Sequence, residues 1–261
     1  MSILTQIDLT VIIITRNEER RLPPCLASLP AGCEIIVVDS ESGDRTREIA
    51  AVAGAKCLTR PFDNYAAQKN YALAHATRRW ILSIDADESL DPKMISEIGK
   101  VVAAEGRDDQ PNIYRLKRQL VFQGRPMRFG KTVDAPMRLF QRSSAEFSGV
   151  IHERLVGNGL RIGKLVSGVL FHHSYEDLED YFARFNRYTT LVAQENYRKT
   201  RKPGFFDAGR IWLDFLSRYI VRLGFLDGYP GYCYALVSSF YGFVKHAKLR
   251  EIYQKAATDG K

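Results

Sequence analysis

Leu9-Thr10-Val11-Ile12-Ile13-Ile14-Thr15, followed at once by Arg16-Asn17-Glu18-Glu19, is the stretch on which the fold turns. A continuous run of apolar and β-branched residues, without polar alternation, is what a strand buried on both faces of a parallel sheet requires. A second run, Glu34-Ile35-Ile36-Val37-Val38, ends at Asp39, and a third, Trp80-Ile81-Leu82-Ser83-Ile84, ends at Asp85. Helix-like segments lie between them. One carries Pro23 and Pro24, which a helix tolerates only in its first turn. Residues 44–53 read as a helix with Ser42 or Asp44 as N-cap and Gly54 as its stop, and 64–76 as another. A short strand at 55–58 and a helix from Pro92 to about Ala104 complete the series. Such alternation predicts right-handed βαβ units, hence an α/β fold built on a Rossmann-like, mostly parallel sheet flanked by helices. Ligands of such sheets bind beyond the carboxyl ends of the strands.

After residue 110 the pattern shifts to shorter strands at 112–122, 137–141, 145–150 and 165–172, separated by glycine turns. A helix is expected from Glu176 to about Arg198, then a break at Lys202-Pro203-Gly204 and an aromatic-rich helical extension. The expected organisation is therefore a first half (1–105), a second half (106–175) and a C-terminal helical extension (176–261).

The formal charge is +8, and residues 195–261 hold 12 Lys and Arg against 6 Asp and Glu. Cys25, Cys33, Cys57 and Cys233 lack metal-type pairing and read as reduced thiols of a cytoplasmic protein. The first residues carry no basic, apolar leader pattern. In the extension, Ile211, Trp212, Phe215, Tyr219 and Leu223 recur at helical spacing, and 228–244 is a 17-residue run without charge. A span needs about 20 apolar residues, so interfacial attachment is favoured, with Arg198, Lys199, Arg201 and Lys202 facing anionic headgroups. The alternative is that the stripe packs on the α/β part of the chain or forms a homodimer contact. Nucleic acid is not an expected partner.

Three polar clusters fall at successive strand ends: Thr15-Arg16-Asn17-Glu18, Asp39-Ser40-Glu41-Ser42-Gly43-Asp44 and Asp85-Ala86-Asp87-Glu88. For Asn17, Ser42 and Asp44, helix capping is an adequate explanation. It fails for Asp85 and Asp87, because Asp91-Pro92 already supplies the cap and first position of the next helix. Two carboxylates bunched at a strand end suit a divalent cation shared with diphosphate oxygens. A nicotinamide oxidoreductase would need G-x-G-x-x-G where this chain has Thr-Arg-Asn-Glu-Glu-Arg. A nucleotidyltransferase would need a glycine- and basic-rich loop near residue 16, and that too is absent.

The stretches V-I-I-I-T-R-N-E-E, I-I-V-V-D-S-E-S-G-D-R-T, A-A-Q-K-N-Y-A-L and I-L-S-I-D-A-D-E resemble the nucleotide-binding half of family 2, inverting glycosyltransferases of the GT-A fold. M-R-L-F-Q-R, F-S-G-V-I-H-E-R-L, H-H-S-Y-E-D-L-E-D-Y-F-A-R-F-N-R-Y-T and G-F-L-D-G-Y-P-G-Y are similar to one subgroup, the bacterial lipopolysaccharide core β-1,4-glucosyltransferases. The resemblance implies that Asp39 bonds the nucleobase and that Arg16 and Glu18 line the base and ribose pocket, with Thr15 in the same site. Arg16 departs from the aromatic many members carry, although a guanidinium also stacks on a base. Lys69 would approach the diphosphate, Asp85 would face ribose or sugar, and Asp87 would hold Mg²⁺ or Mn²⁺. UDP-glucose as donor and a lipopolysaccharide inner-core sugar as acceptor are likewise implied, at the inner membrane surface. Another lipid-linked or exopolysaccharide acceptor, or a non-catalytic sugar-nucleotide-binding scaffold, is the alternative.

Inversion needs a base across the sugar from the diphosphate, and so from the second half of the fold. Glu153 is the expected base, with His152 positioning it or the acceptor; the alternative is a surface Glu153 paired with Arg154 or Arg138. Of His172 and His173, alternation lets one reach the site. His173 is the expected imidazole at the metal.

Overall fold

The structure, a computed structural model, describes residues 6–104, 110–149, 153–200 and 210–259. It divides into two compact units. The first comprises the chain to Gln119 together with Asp134–His173; the second comprises Leu120–Val133 and the chain from Ser174 onward.

In the first unit, β1 (Leu9–Thr15), β2 (Glu34–Asp39), β3 (Lys56–Thr59) and β4 (Trp80–Asp85) form the parallel half of the sheet, in the order β3-β2-β1-β4. Leu9, Val11 and Ile13 enter one hydrophobic core and Ile12 the other, so successive side chains of β1 feed opposite faces and both are buried. This is the physical content of the unbroken apolar run. Helices α1 (Leu22–Ala27), α2 (Thr46–Val52) and α3 (Tyr65–His75) alternate with these strands. Pro23 and Pro24 open α1, as expected.

β5 (Glu88–Leu90), a strand not expected from the sequence, follows β4 directly. Asp91 then caps α4 (Pro92–Ala103) by accepting from Met94 N at 2.6 Å, with Pro92 in the first turn. The sheet continues through β6 (Ile113–Phe122), β9 (Met137–Gln141) and β12 (Ile162–His172) in the order β4-β9-β6-β12-β5. The two-residue strands β7 (Arg125–Pro126) and β8 (Val133–Asp134) pair with β6. β9 runs antiparallel to β4, and β12 antiparallel to β5. β10 (Glu146–Ser148) and β11 (Arg154–Val156) form a separate hairpin. The mixed α/β architecture expected from the sequence is the one observed.

The second unit is helical. α5 (Leu178–Arg198) and the 32-residue α7 (Gly228–Asp259) pack around the end of β6, and α6 (Arg210–Leu216) packs on α7. Phe122, Tyr175, Tyr181 and Tyr234 meet edge to face or tilted, with Phe122 and Tyr234 centroids 5.3 Å apart. Pro230 and Gly231 fall in the first turn of α7, where the missing proline N–H costs nothing. Part of the expected amphipathic stripe packs inward: Phe215 and Tyr219 stack at 5.3 Å and meet Tyr232 of α7. Trp212 and Leu223 are exposed. No helix among the described residues is long and apolar enough to cross a membrane. The expected break at 202–204 lies outside the described residues.

Candidate active site

The strand register brings the polar clusters to one edge. Thr15 pairs with Asp39, and Ile14 with Asp85, so β1, β2 and β4 end side by side. Asp39 is fully buried. Its carboxylate accepts from Thr15 Oγ1 at 3.1 Å, from Ser42 N at 2.9 Å and from the Ser42 hydroxyl. Arg47 Nε stands 3.8 Å away. The two loops are stitched together. Asn17 sits at φ 56° and its Oδ1 accepts from Gly43 N at 2.9 Å, while Asn17 N donates to Ser42 Oγ and Glu18 N to Thr46 Oγ1, both at 2.8 Å. Asp44 accepts from Thr46 N and Glu19 N. Arg45, not Ser42 or Asp44, stands at the N-cap of α2, and it provides no side-chain cap. The Ser42 hydroxyl has gone to Asp39 instead. Arg16 is exposed at the strand end, and Glu18 is half-buried with Arg21 Nη1 3.5 Å away.

Around Asp85 the carboxylates are met by cations from distant segments. Lys69, on α3 and only 2% exposed, places Nζ 3.1 Å from Asp85 Oδ1 and 2.8 Å from Glu153 Oε1. Asn70 explains how Glu153 gets there. Its side chain donates to Phe147 O at 2.8 Å and accepts from Phe147 N at 2.9 Å, fastening β10 to α3 a few residues ahead of Glu153. Glu153 thus pairs with Lys69, not with Arg154 or Arg138. His152 lies outside the described residues.

Arg138, buried on β9, reaches Asp85 Oδ2 at 2.5 Å and Glu88 Oε1 at 2.6 Å. Arg118 joins the same Glu88 oxygen at 2.8 Å and grips Asp134 with two nitrogens at 2.6 and 2.9 Å. The result is a chain of alternating charge, Glu153–Lys69–Asp85–Arg138–Glu88–Arg118–Asp134. Buried ions are tolerable only when partnered in this way. Desolvation alone would raise the Asp85 pKa, but the Arg138 guanidinium and Lys69 ammonium hold it well below the usual carboxylate range. Glu88, fully buried, also accepts from Asp85 N at 2.9 Å, closing the acidic turn.

Asp87 stands apart from that chain. Its desolvation is outweighed by the His172 imidazole, which lowers its pKa with Nε2 3.5 Å from Asp87 Oδ2. The β5–β12 pairing, which sets His172 opposite Glu88, makes this approach. His173 donates its backbone N–H to Asp87 O at 2.7 Å, but its ring Nε2 lies 3.1 Å from Ser89 Oγ. The imidazole at the carboxylate is therefore His172, where the sequence favoured His173. Burial pushes the His173 pKa down. Cys25, beneath the turn with Sγ 3.7 Å from Asp85 O, is a buried thiol held protonated by desolvation and the neighbouring carboxylates.

Sequence reading missed Arg138, Arg118, Asp134 and Asn70. A usable signal was present for Arg138, an arginine inside the apolar strand Met137–Gln141 that needs a buried anion to face.

The chain matches the model of "Glycosyl transferase family 2" over residues 10–153, which contain every strand-end cluster and Glu153. An uncharacterized glycosyltransferase of Rickettsia typhi is 31% identical over 95% of this chain and 88% of its own length. The lipopolysaccharide core biosynthesis glycosyltransferase LpsC of Rhizobium meliloti is 29% identical, covering 97% of this chain and 95% of that one. Among solved structures, the mannosyltransferase PcManGT from Pyrobaculum calidifontis, in complex with GDP-Man and Mn²⁺, aligns with a TM-score of 0.53 at 15% identity over 94% of this chain and 87% of that one. This last likeness concerns the fold. Together with the acidic strand ends, these matches place the chain in glycosyl transferase family 2, as a nucleotide-sugar-dependent glycosyltransferase of GT-A fold.

Proposed function

We propose that the enzyme transfers glucose from UDP-glucose, with inversion, to an inner-core sugar of lipopolysaccharide or lipooligosaccharide, working peripherally at the cytoplasmic face of the inner membrane. The observation that carries the reading is the Asp85–Lys69–Glu153 bridge. It joins the acidic strand ends to a carboxylate from the other half of the fold, where an inverting base is needed. The name of the Rhizobium meliloti relative supports a lipopolysaccharide core acceptor.

In this reading Thr15, Arg16, Glu18 and Asp39 hold the nucleoside, and Lys69 and Asp85 lie along the path to the sugar. Asp87 with His172 beside it is a donor set that fits a divalent cation sharing diphosphate oxygens; among the described residues no third His, Cys, Asp or Glu joins them. Bound there, Mg²⁺ or Mn²⁺ would neutralise charge on the departing nucleoside diphosphate. Glu153 accepts the acceptor hydroxyl's proton as that oxygen bonds the anomeric carbon and the bond to the diphosphate breaks. Lys69 orients the Glu153 carboxylate from 2.8 Å.

A thermal-shift panel of nucleotide sugars with and without Mn²⁺ tests the donor. A ligand at 100 times its Kd adds roughly 2.7 kcal/mol of stability. UDP-glucose with Mn²⁺ should give the largest shift, and transfer to truncated lipopolysaccharide should yield a β-linked product. Preference for GDP-mannose would remove the glucose assignment, and indifference to Mn²⁺ would remove the metal.

A further inference from the structure

The membrane-facing part of the proposed function can be given a surface, one that includes Leu223 and Tyr229 of the stretches the sequence favoured. In the second unit α6 runs into a π-helical turn (Ser217–Val221) and a 3₁₀ turn (Gly224–Asp227) before α7 begins. This tip exposes an unusual density of large apolar side chains. Val221 is 76% exposed, Tyr229 73% and Leu226 55%, with Leu216, Ile220 and Phe225 also exposed. Contiguous apolar exposure on this scale marks a contact surface.

The tip is a built structure. Leu223 adopts the left-handed backbone at φ 58°, a conformation a branched apolar residue rarely takes, and holds its side chain in solvent. Gly224 and Gly231 permit the tight crossing beneath it: a Cβ on Gly231 would lie 2.0 Å from Gly224 O, and one on Gly224 2.7 Å from Arg218 O. The loop after β7 is bonded to the same tip. Asp227 accepts from Arg128 N and Phe129 N at 2.9–3.1 Å, and Gly130 N donates to Arg222 O at 3.0 Å. A sequence separation of nearly a hundred residues is closed by these bonds, and they bring the exposed Arg128 and Lys131 to the apolar tip beside Arg222.

We infer that this tip, with its basic loop, is the surface that lodges in an anionic lipid bilayer. Apolar and aromatic side chains enter the acyl boundary while the surrounding guanidinium and ammonium groups meet lipid phosphates. Charge selects the occupant. Among the described residues of the tip, Arg128, Lys131, Arg218 and Arg222 stand against two carboxylates, Asp214, which pairs with Lys131 and Arg218, and Asp227, which is already taken by backbone N–H groups. A two-fold contact between copies would set these like charges against one another. The inference rests on the membrane reading in the proposed function.

Co-sedimentation of the full chain with phosphatidylglycerol-containing vesicles, and with phosphatidylcholine vesicles alone, tests it. Wild type should partition at least about tenfold more strongly onto the anionic vesicles. Val221→Asp/Leu226→Asp should lower that partition by about tenfold or more, and Arg128→Glu/Lys131→Glu should reduce it to the neutral-vesicle level. Both variants should melt within about 2 °C of wild type and turn over UDP-glucose unchanged in solution. If wild type binds and the Asp double variant binds equally, this surface is wrong while membrane attachment survives. If wild type stays in the supernatant with both vesicles, the membrane reading falls as well. A concentration-dependent dimer in sedimentation velocity that the Asp variant dissolves would overturn the lipid assignment in favour of a second copy.

Discussion

Asp39 and Asp85 end neighbouring strands of the same sheet and look alike in sequence, yet the protein satisfies them by opposite means. Asp39 is served by nearby neutral donors, the hydroxyls of Thr15 and Ser42 and the Ser42 amide. Asp85 is held by the Lys69 ammonium and the Arg138 guanidinium, which arrive from α3 and β9. The first arrangement fixes its carboxylate mainly by neutral donors, with the Arg47 guanidinium 3.8 Å away as its one cation among the described residues. The second neutralises its carboxylate and links it through Lys69 to Glu153. Asp87, next to that network, meets the His172 imidazole instead, and the proposed function gives it the cation. An acidic strand end is thus not one kind of site. Its chemistry depends on what is packed against it.

The contrast is most sharply broken at Asp87. Asp87→Ala should lower transfer by roughly a thousandfold, the several kcal/mol a metal contributes to charge stabilisation, with little change in melting temperature. Steady-state kinetics with and without Mn²⁺ would check it. Glu153→Gln should lower kcat by about a hundredfold or more while leaving the KM for donor near wild type; intact transfer in this variant would sink the base assignment without sinking the enzyme. Arg138→Met removes the shared partner of two buried carboxylates and should cost about 3 kcal/mol in urea unfolding, with Asp85 left to Lys69 alone and Glu88 to Arg118 alone. Ser42→Ala should cost only about 1 kcal/mol, since Asp39 keeps the Ser42 amide and Thr15.

Acid titration sharpens the same distinction. The folded-state pKa of Asp85 lies well below its unfolded value of about 3.9, so its stabilisation is full above the unfolded value and is lost progressively as pH falls from there through the folded-state pKa. Asp85→Asn should therefore be less stable than wild type at pH 7, and the gap should narrow as the pH is taken below about 4. Chemical denaturation across that range would show it. A constant gap would mean that packing, not charge, is what Asp85 contributes.

Much of the parallel half could be read directly. Runs such as Leu9–Thr15 have one physical solution, and Asp91-Pro92 announces the start of α4 unaided. β5 could not be read, because three residues between an acidic turn and a capped helix carry no periodicity. That omission mattered. Pairing of β5 with β12 puts His172 rather than His173 beside Asp87, and alternation along an isolated strand leaves open which face turns inward. The Leu120–Val133 hairpin was likewise read as part of a catalytic half, whereas it groups with the C-terminal helices through Phe122, Met127 and the Asp227 bonds.

By itself the sequence determined the α/β class, the strand ends where chemistry gathers and the family, because each depends on local patterns that neighbouring residues complete. Only the tertiary structure decided which carboxylate meets which cation. Lys69 to Glu153 and Arg138 to Asp85 each join segments more than fifty residues apart, as does the hydrogen bond from the Arg128 backbone amide to Asp227. Coulomb and hydrogen-bond energies act over a few ångströms of space, whatever the distance along the chain.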